Sequence, residues 1–459
     1  MKKSILWFSI LFIHQLGLCQ DAEVQILKDQ VYLSIESEVK LINCLNKFQW
    51  YQNIKTSLPS LAQFEKYFNN DHLKYDLYLP ENDSVKYPLI IFMHGGGLLK
   101  GDKSQRSMQF LGSEMAKKGI PFASIEYRIQ ALSLLSFTDA GYLAMQDLYA
   151  AIGYFKENSA KWNIDSDYIY VGGISAGAVT AMLATFYDRE QIGAIQHARL
   201  DKQFGCLKCF YPVNTDYETR GVINISGAVT DLNIMSDESH RIIQFVGLQD
   251  RIIDAEEGFP FSSVFQKPND EASFVESLLS VLTSDGRESL YADLIDVMEL
   301  PYMYGALKID EYASVREELD VRTVVFENYD HRLISSRKGK RPMGPSVTII
   351  NGIEEWIKED LKCETPEIIY PEKIFYNFHT QLKCDISAAE FLWYVDDIKV
   401  GAERYLSYKF QKAGHYRVGL KIKNDYGIWS QESVIYVEIV KPGILDHVSY
   451  LWSRLIGNE

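Results

Sequence analysis

A serine hydroxyl attacks a carbonyl at neutral pH only when a neighbouring base removes its proton, and the oxyanion that forms needs fixed hydrogen-bond donors. Two motifs in this chain hold such parts. Ser175 is the centre of Gly173-Ile174-Ser175-Ala176-Gly177, directly after the apolar run Tyr168-Ile169-Tyr170-Val171-Gly172. Upstream, His94-Gly95-Gly96-Gly97 directly follows Pro88-Leu89-Ile90-Ile91-Phe92-Met93. Either motif alone is a weak signal. Together, in this order and each ending an apolar run, they describe a nucleophile on a strand-to-helix elbow and a glycine loop that can hold an oxyanion. Glycines let the main chain approach the reacting atoms closely, so the expected donors are the amides of Gly96, Gly97 and Ala176. A phosphate-binding loop is excluded, because the chain has neither G-x-x-x-x-G-K-[ST] nor G-x-G-x-x-G.

The base should be a histidine on a loop after a late strand. His197, His240, His331, His379, His415 and His447 follow the serine. His331 is the choice: it follows the apolar Val324-Val325-Phe326 by the polar Glu327-Asn328-Tyr329-Asp330. His240 precedes a strand, the wrong end of a parallel sheet for a site. His94 is expected to stabilise its loop rather than act as base. The acid that orients the histidine should end the preceding strand, which places Asp250 first, with Asp231 and Asp254 as alternatives. The chain order Ser175, Asp250, His331 suits acyl transfer on an α/β scaffold.

These residues need strands and helices that deliver them. Between residues 74 and 360, continuous apolar runs alternate with helical patterns, the signature of a parallel α/β sheet. Strands are expected at 75–80, 88–93, 120–127, 168–171, 221–226, 241–246 and 321–326, and helices at 109–118, 147–160, 176–187 and 349–361. Residues 20–73 form an extension before the first confident strand. Residues 255–317 break the alternation, with helical patterns at 273–282 and 287–298, and read as a lid over the site. After Cys363-Glu364-Thr365-Pro366 the pattern changes to short alternating strands with turns at Asp396-Asp397, Ala413-Gly414 and Asn424-Asp425-Tyr426-Gly427, so a small β-sandwich is expected over 366–441. Residues 442–459 form an amphipathic tail.

The net charge of −15 argues against a nucleic-acid partner, which needs clustered Lys and Arg. Lys2 and Lys3 followed by an apolar run to Leu18 read as a signal peptide over 1–19, too short to span a bilayer, so export is expected. Acylation at Cys19 is the rival reading, opposed by the bulky Leu18 before it. No transmembrane segment follows. Cys206-Leu207-Lys208-Cys209 has no second Cys or His pair, so it reads as a local disulfide or free thiols rather than half a zinc site. No metal and no cofactor are expected.

Residues 74–361 resemble the α/β-hydrolase superfamily, and within it the HGGG-bearing carboxylesterases related to hormone-sensitive lipase and to bacterial feruloyl-type esterases. The resemblance is carried by Leu77-Tyr78-Leu79-Pro80, the His94-Gly95-Gly96-Gly97 loop, Gly101-Asp102-Lys103-Ser104, Glu126-Tyr127-Arg128, the Ser175 elbow and the turn from Gly247 to Ile253. It implies a doubly wound, mostly parallel sheet and a Ser-His-Asp triad working through an acyl-enzyme. It also implies that Glu126-Tyr127-Arg128 is a structural strand end. Trp393, Gly414-x-Tyr416-x-Val418-x-Leu420 and Asn424-x-x-Gly427 resemble a PKD-type immunoglobulin-like domain, although Asp396-Asp397-Ile398 stands where that family has Asp-Gly. The expected activity is hydrolysis of carboxylic esters, small or attached to polysaccharide, with carbohydrate contact through the C-terminal domain. A peptidase of the same fold and a silent binding protein on a hydrolase scaffold are the alternatives.

Overall fold

The computed structural model describes residues 24–34, 72–81, 85–129, 136–186, 199–200, 202, 204, 206–208, 217–235, 240–261, 300–334 and 344–455. The expected signal peptide and the helical patterns at 273–282 and 287–298 lie outside them. The chain divides into two compact units, residues 1–83 with 87–354, and residues 84–86 with 355–459.

The first unit is built on eight strands: β1 (Val24–Ser34), β2 (His72–Pro80), β3 (Tyr87–Met93), β4 (Phe122–Ile125), β5 (Ile164–Ile174), β6 (Gly221–Ile225), β7 (Arg241–Gly247) and β8 (Asp320–Phe326). Their order across the sheet is β1-β2-β4-β3-β5-β6-β7-β8. β1 and β2 pair antiparallel, as do β2 and β4, and from β4 through β8 every pairing is parallel. Strands covered on both faces need apolar side chains at every position. β3 and β6 are buried throughout, and Asn224 is the one polar residue in them. This is an α/β-hydrolase sheet, and its strand ends carry the site.

Helices α1 (Arg106–Lys117), α2 (Phe137–Glu157), α3 (Ala176–Phe186), α4 (Ala306–Ala313) and α5 (Pro345–Asp360) accompany it. α2 begins ten residues before the expected start at 147. Ser136 caps it by accepting the Asp139 amide at 3.2 Å, and the helix is buried almost all round, which erases the amphipathic signal. β4 is shorter than expected because Tyr127 and Arg128 leave the ladder to bind other partners. Tyr127 donates to the His94 carbonyl, and Arg128 pairs with Asp147 of α2.

Two features lay beyond the sequence reading. β1, from the extension before residue 74, is the outermost strand of the sheet. A buried polar ladder also crosses three strands: Asn224 Nδ2 donates to Gln244 Oε1 (3.3 Å), and Gln244 Nε2 donates to Thr323 Oγ1 and to the Ala306 carbonyl (each 2.8 Å). Satisfied buried groups of this kind fix register, here among the strands that lead to Asp250 and His331.

The second unit has a three-stranded sheet of β9 (Ile368–Ile369), β11 (His379–Cys384) and β14 (Tyr405–Lys409). Its five-stranded sheet runs β10 (Ile374–Phe375), β16 (Ser433–Val440), β15 (Gly414–Lys423), β12 (Glu390–Val395) and β13 (Ile398–Gly401). Both sheets contribute to one core holding Leu382, Trp393, Phe410, Val418 and Leu420. The indole of Trp393 donates to the Glu403 carbonyl at 2.8 Å, so this buried aromatic also has its polar atom satisfied. Asp396 and Asp397 both take positive φ in the β12–β13 turn, the conformation an Asp-Gly pair would supply. The tail contains helix α6 (Ile444–Leu455). Cys363 and Cys384 are free and buried, whereas Cys206 is disulfide-bonded.

Candidate active site

Ser175 stands between the last residue of β5 and the first of α3, with φ of 55°. A serine in the left-handed region is strained, and such strain persists only where the surroundings over-determine it. Here the Ser175 amide donates to the Ile225 carbonyl (2.9 Å), while its own carbonyl accepts from Val179 and opens the helix. Ala176 is the first helical residue, so its amide has no acceptor within the helix and lies at the positive end of the dipole.

The glycine loop packs against this elbow. A Cβ on Gly177 would stand 2.5 Å from the Met93 carbonyl oxygen and 2.6 Å from that of His94, so the two motifs touch only because residue 177 has no side chain. Gly96 and Gly97 have φ of 137° and 64°. The Gly96 carbonyl accepts from Leu99 and Lys100, closing the turn, and neither the Gly96 nor the Gly97 amide donates to a main-chain carbonyl among the described residues. His94 is buried, stacks on Tyr127 (centroids 4.4 Å apart) and places Nδ1 2.9 Å from the Gly95 carbonyl. Burial pushes its imidazole down to about 4, outweighing the opposing Gly95 hydrogen bond, so it is neutral at pH 7. It serves as packing behind the loop.

The structure brings together the three residues singled out for catalysis. His331 Nε2 lies 2.7 Å from Ser175 Oγ, and His331 Nδ1 lies 2.7 Å from Asp250 Oδ2. Asp250 Oδ1 accepts from the amides of Ile252 (2.9 Å) and Ile253 (3.0 Å), which fixes the carboxylate beneath the ring. The turn carrying Asp250 and the loop carrying His331 are joined: Leu248 and Gln249 donate to the carbonyls of Phe326 and Tyr329. A Cβ on Gly247 would meet the Tyr329 carbonyl oxygen at 2.3 Å, so this close approach also requires glycine.

The alternatives bind other partners, although Asp231 lines the cavity that opens on Ser175. Asp231 is exposed and accepts from the amide and side chain of Asn233, while Asp254 accepts from the Glu256 amide. His240 packs edge-on against Phe186 at the start of β7, and His379, His415 and His447 belong to the second unit. His197 lies outside the described residues.

Glu126-Tyr127-Arg128 braces the site from behind. Tyr127 donates to the His94 carbonyl at 2.7 Å, and Arg128 holds the buried Asp147 through its amide and guanidinium. Burial raises the Asp147 carboxyl above its ordinary value despite the opposing Arg128 charge.

A cavity of about 560 Å³ opens on Ser175, Ala176 and Gly97. Its remaining wall is largely apolar, with Tyr142 and Met145 from α2, Val179 and Leu183 from α3, and Ile234 and Phe261 beyond. Sequence reasoning missed the part played by α2; the Ser136-x-x-Asp139 cap was the signal that could have found it. Pro260, Phe261, Pro301 and Met303 also line the cavity, so both described ends of the 255–317 segment reach the pocket.

An eight-stranded sheet with parallel strands from β4 onward, a serine elbow and a Ser-His-Asp hydrogen-bond chain define an α/β-hydrolase. Residues 75–257 match the BD-FAE family. Over 128 residues the chain is 31% identical to gut esterase 1 of Caenorhabditis briggsae, covering 27% of this chain and 23% of that protein. Over 139 residues it is 30% identical to the bile salt-activated lipase of Rattus norvegicus, covering 28% and 22%. The chain thus spans under a quarter of the length of these curated relatives. Among solved structures, Thermogutta terrifontis esterase 2 phosphorylated by paraoxon aligns at 12% identity with a TM-score of 0.42, over 74% of this chain and 95% of that one.

Proposed function

We propose that this protein is an exported serine carboxylic-ester hydrolase. The observation that carries the reading is the continuous hydrogen-bond chain from Ser175 Oγ through His331 to Asp250, with 2.7 Å at each link. In the first half-reaction His331 Nε2 takes the Ser175 proton as Oγ attacks the ester carbonyl carbon. The amides of Gly96, Gly97 and Ala176 receive the oxyanion, and Asp250 balances the imidazolium. His331 then gives its proton to the departing alcohol, leaving an acyl-serine. Water, deprotonated by the same histidine, releases the acid and restores the serine.

The apolar cavity beside Ser175 supports an acyl group with hydrocarbon or aromatic bulk over a bare acetyl group. Named relatives that are esterases and lipases support the ester bond as target. The Lys2-Lys3 leader and the appended β-rich unit, which resembles a PKD-type domain, support action outside the cell on polysaccharide-linked esters, with the second unit contacting the carbohydrate. The lid role of 255–317 is supported by Phe261 and Met303 at the cavity wall.

The test is hydrolysis of p-nitrophenyl esters of graded chain length by the purified protein. Ser175→Ala is expected to reduce turnover to background. Undiminished hydrolysis by that variant would overturn the mechanism.

A further inference from the structure

β1 carries none of the residues expected to do chemistry, yet two of its side chains reach the elements behind the oxyanion loop. We propose that β1 positions the oxyanion donors, with Asp29 acting through Lys103 and Tyr32 acting through Glu126 to hold the loop from Gly95 to Lys103 in register with Ser175. The proposal rests on reading Gly96 and Gly97 as donors.

The first tether begins at a bulge. The β1–β2 register shifts between Leu27 and Gln30, and Asp29 takes a φ of 56°. Its amide then donates to Asp76 Oδ1 (2.9 Å), while its carboxylate meets Lys103 Nζ at 2.7 Å. Lys103 Nζ also lies 2.8 Å from Asp76 Oδ1, and the Lys103 carbonyl accepts from Ser124 Oγ at 2.8 Å. Burial would push the Lys103 ammonium down, but the two carboxylates hold it above its usual value, so the tether is charged at any working pH. Lys103 thereby pins the downstream end of the glycine loop to the sheet edge.

The second tether reaches the upstream end. Tyr32 Oη donates to the Glu126 carbonyl, the next residue Tyr127 donates to the His94 carbonyl, and the Tyr127 ring stacks on that of His94. Between the two pinned ends, Gly96 and Gly97 keep their positive φ values and their turn closes on the Gly96 carbonyl. Both tethers bear on the ends of that turn, so losing either lets the donors shift against Ser175. A donor displaced by about an ångström weakens stabilisation only of the charge that develops in the transition state. The loss should therefore fall on kcat and leave KM in place.

The experiment uses the full chain with Asp29→Asn, Tyr32→Phe and the double variant. Asparagine tolerates the left-handed backbone and keeps the amide that donates to Asp76, so only the charge on the tether is lost. With p-nitrophenyl butyrate, each single variant is expected to lower kcat roughly tenfold and the double variant further, with KM within about twofold. Affinity for a trifluoromethyl ketone, whose hemiketal oxyanion mimics the tetrahedral state, should fall by the same factors. A merely structural role would lower the urea midpoint while leaving kcat and ketone affinity at wild-type values, and that result overturns the proposal. Should Asp29→Asn fail to fold, Tyr32→Phe reads the other tether. Gly96→Ala, whose Cβ would stand 1.9 Å from the Lys100 carbonyl oxygen and so displaces the turn that carries both amides, separates the two layers. If it also leaves kcat and ketone affinity unchanged, the donor assignment has failed; if it lowers both while the tether variants do not, only the tethers have failed.

Discussion

The carbonyl oxygen of His94 lies 2.6 Å from where a Cβ of Gly177 would stand, so the oxyanion loop and the nucleophile elbow meet backbone to backbone. Gly177→Ala inserts a methyl group into a contact with no flexible side chain to yield. The expected outcome is a loss of about 1–3 kcal/mol in stability and a fall in kcat on the order of 10²-fold as the donors move off the oxyanion. Urea denaturation and steady-state kinetics on the same preparation check both.

Asp250→Asn tests the second link of the hydrogen-bond chain. The amides of Ile252 and Ile253 would still hold an asparagine oxygen, but the side-chain NH₂ would then face His331 Nδ1 and favour the wrong tautomer. A drop in kcat on the order of 10⁴-fold is expected, with near-wild-type stability. An equally large drop in Asp231→Asn or Asp254→Asn would contradict the assignment.

The three groups of this chain were legible because their signals are local. A five-residue elbow, a glycine run after an apolar strand and a histidine after a late strand can each be read without knowing what packs against them. β1 was not legible for the opposite reason. Of its eleven residues only Tyr32 is buried, so the strand shows no alternation and is defined by its pairing with β2 and by the Asp29–Lys103 contact. The start of α2 was hidden by burial on every side, which removed the periodicity that marks a surface helix and with it Tyr142 and Met145 of the pocket wall. The close approach at Gly247 depends on two segments some eighty residues apart and leaves no local pattern.

His94 predicts a pH dependence of stability. Its folded value near 4 lies below the ordinary 6.5, so the unfolded chain binds the extra proton between those limits. Stability should therefore fall as pH drops from 6.5 toward 4, by up to about 1.4 kcal/mol per pH unit from this group. Asp147, raised by burial, pulls the other way, so the comparison must be made against His94→Gln across the same range. The variant's thermal midpoint should decline less on acidification than the wild type's; parallel curves would show that His94 contributes nothing.

Lys103→Met should cost more stability than Asp29→Asn. It strands the buried Asp76 carboxylate without its cation, a change expected to cost about 3–5 kcal/mol. Asp29 is largely exposed, with side-chain accessibility of 67%, and its loss leaves the Lys103–Asp76 pair intact. Urea midpoints rank the two variants, and the reverse order would refute the account of this cluster.

Acyl size can be tested from the cavity wall. Gly141 lines the cavity and a Cβ there meets no atom within 4 Å, so Gly141→Leu adds bulk to the cavity wall from α2. The ratio of octanoyl to acetyl turnover should fall by about tenfold, the effect of losing about 1.4 kcal/mol of apolar contact. An unchanged ratio would mean that the acyl group lies elsewhere.

The most direct measurement of the central claim is covalent. The protein is treated with a fluorophosphonate, digested, and its peptides are weighed alongside residual esterase activity. The account predicts one phosphonyl group on the peptide containing Ser175, loss of activity in step with labelling, and no labelling in His331→Ala. Full inactivation with the adduct on another residue, or labelling of Ser175 that leaves turnover intact, would contradict it.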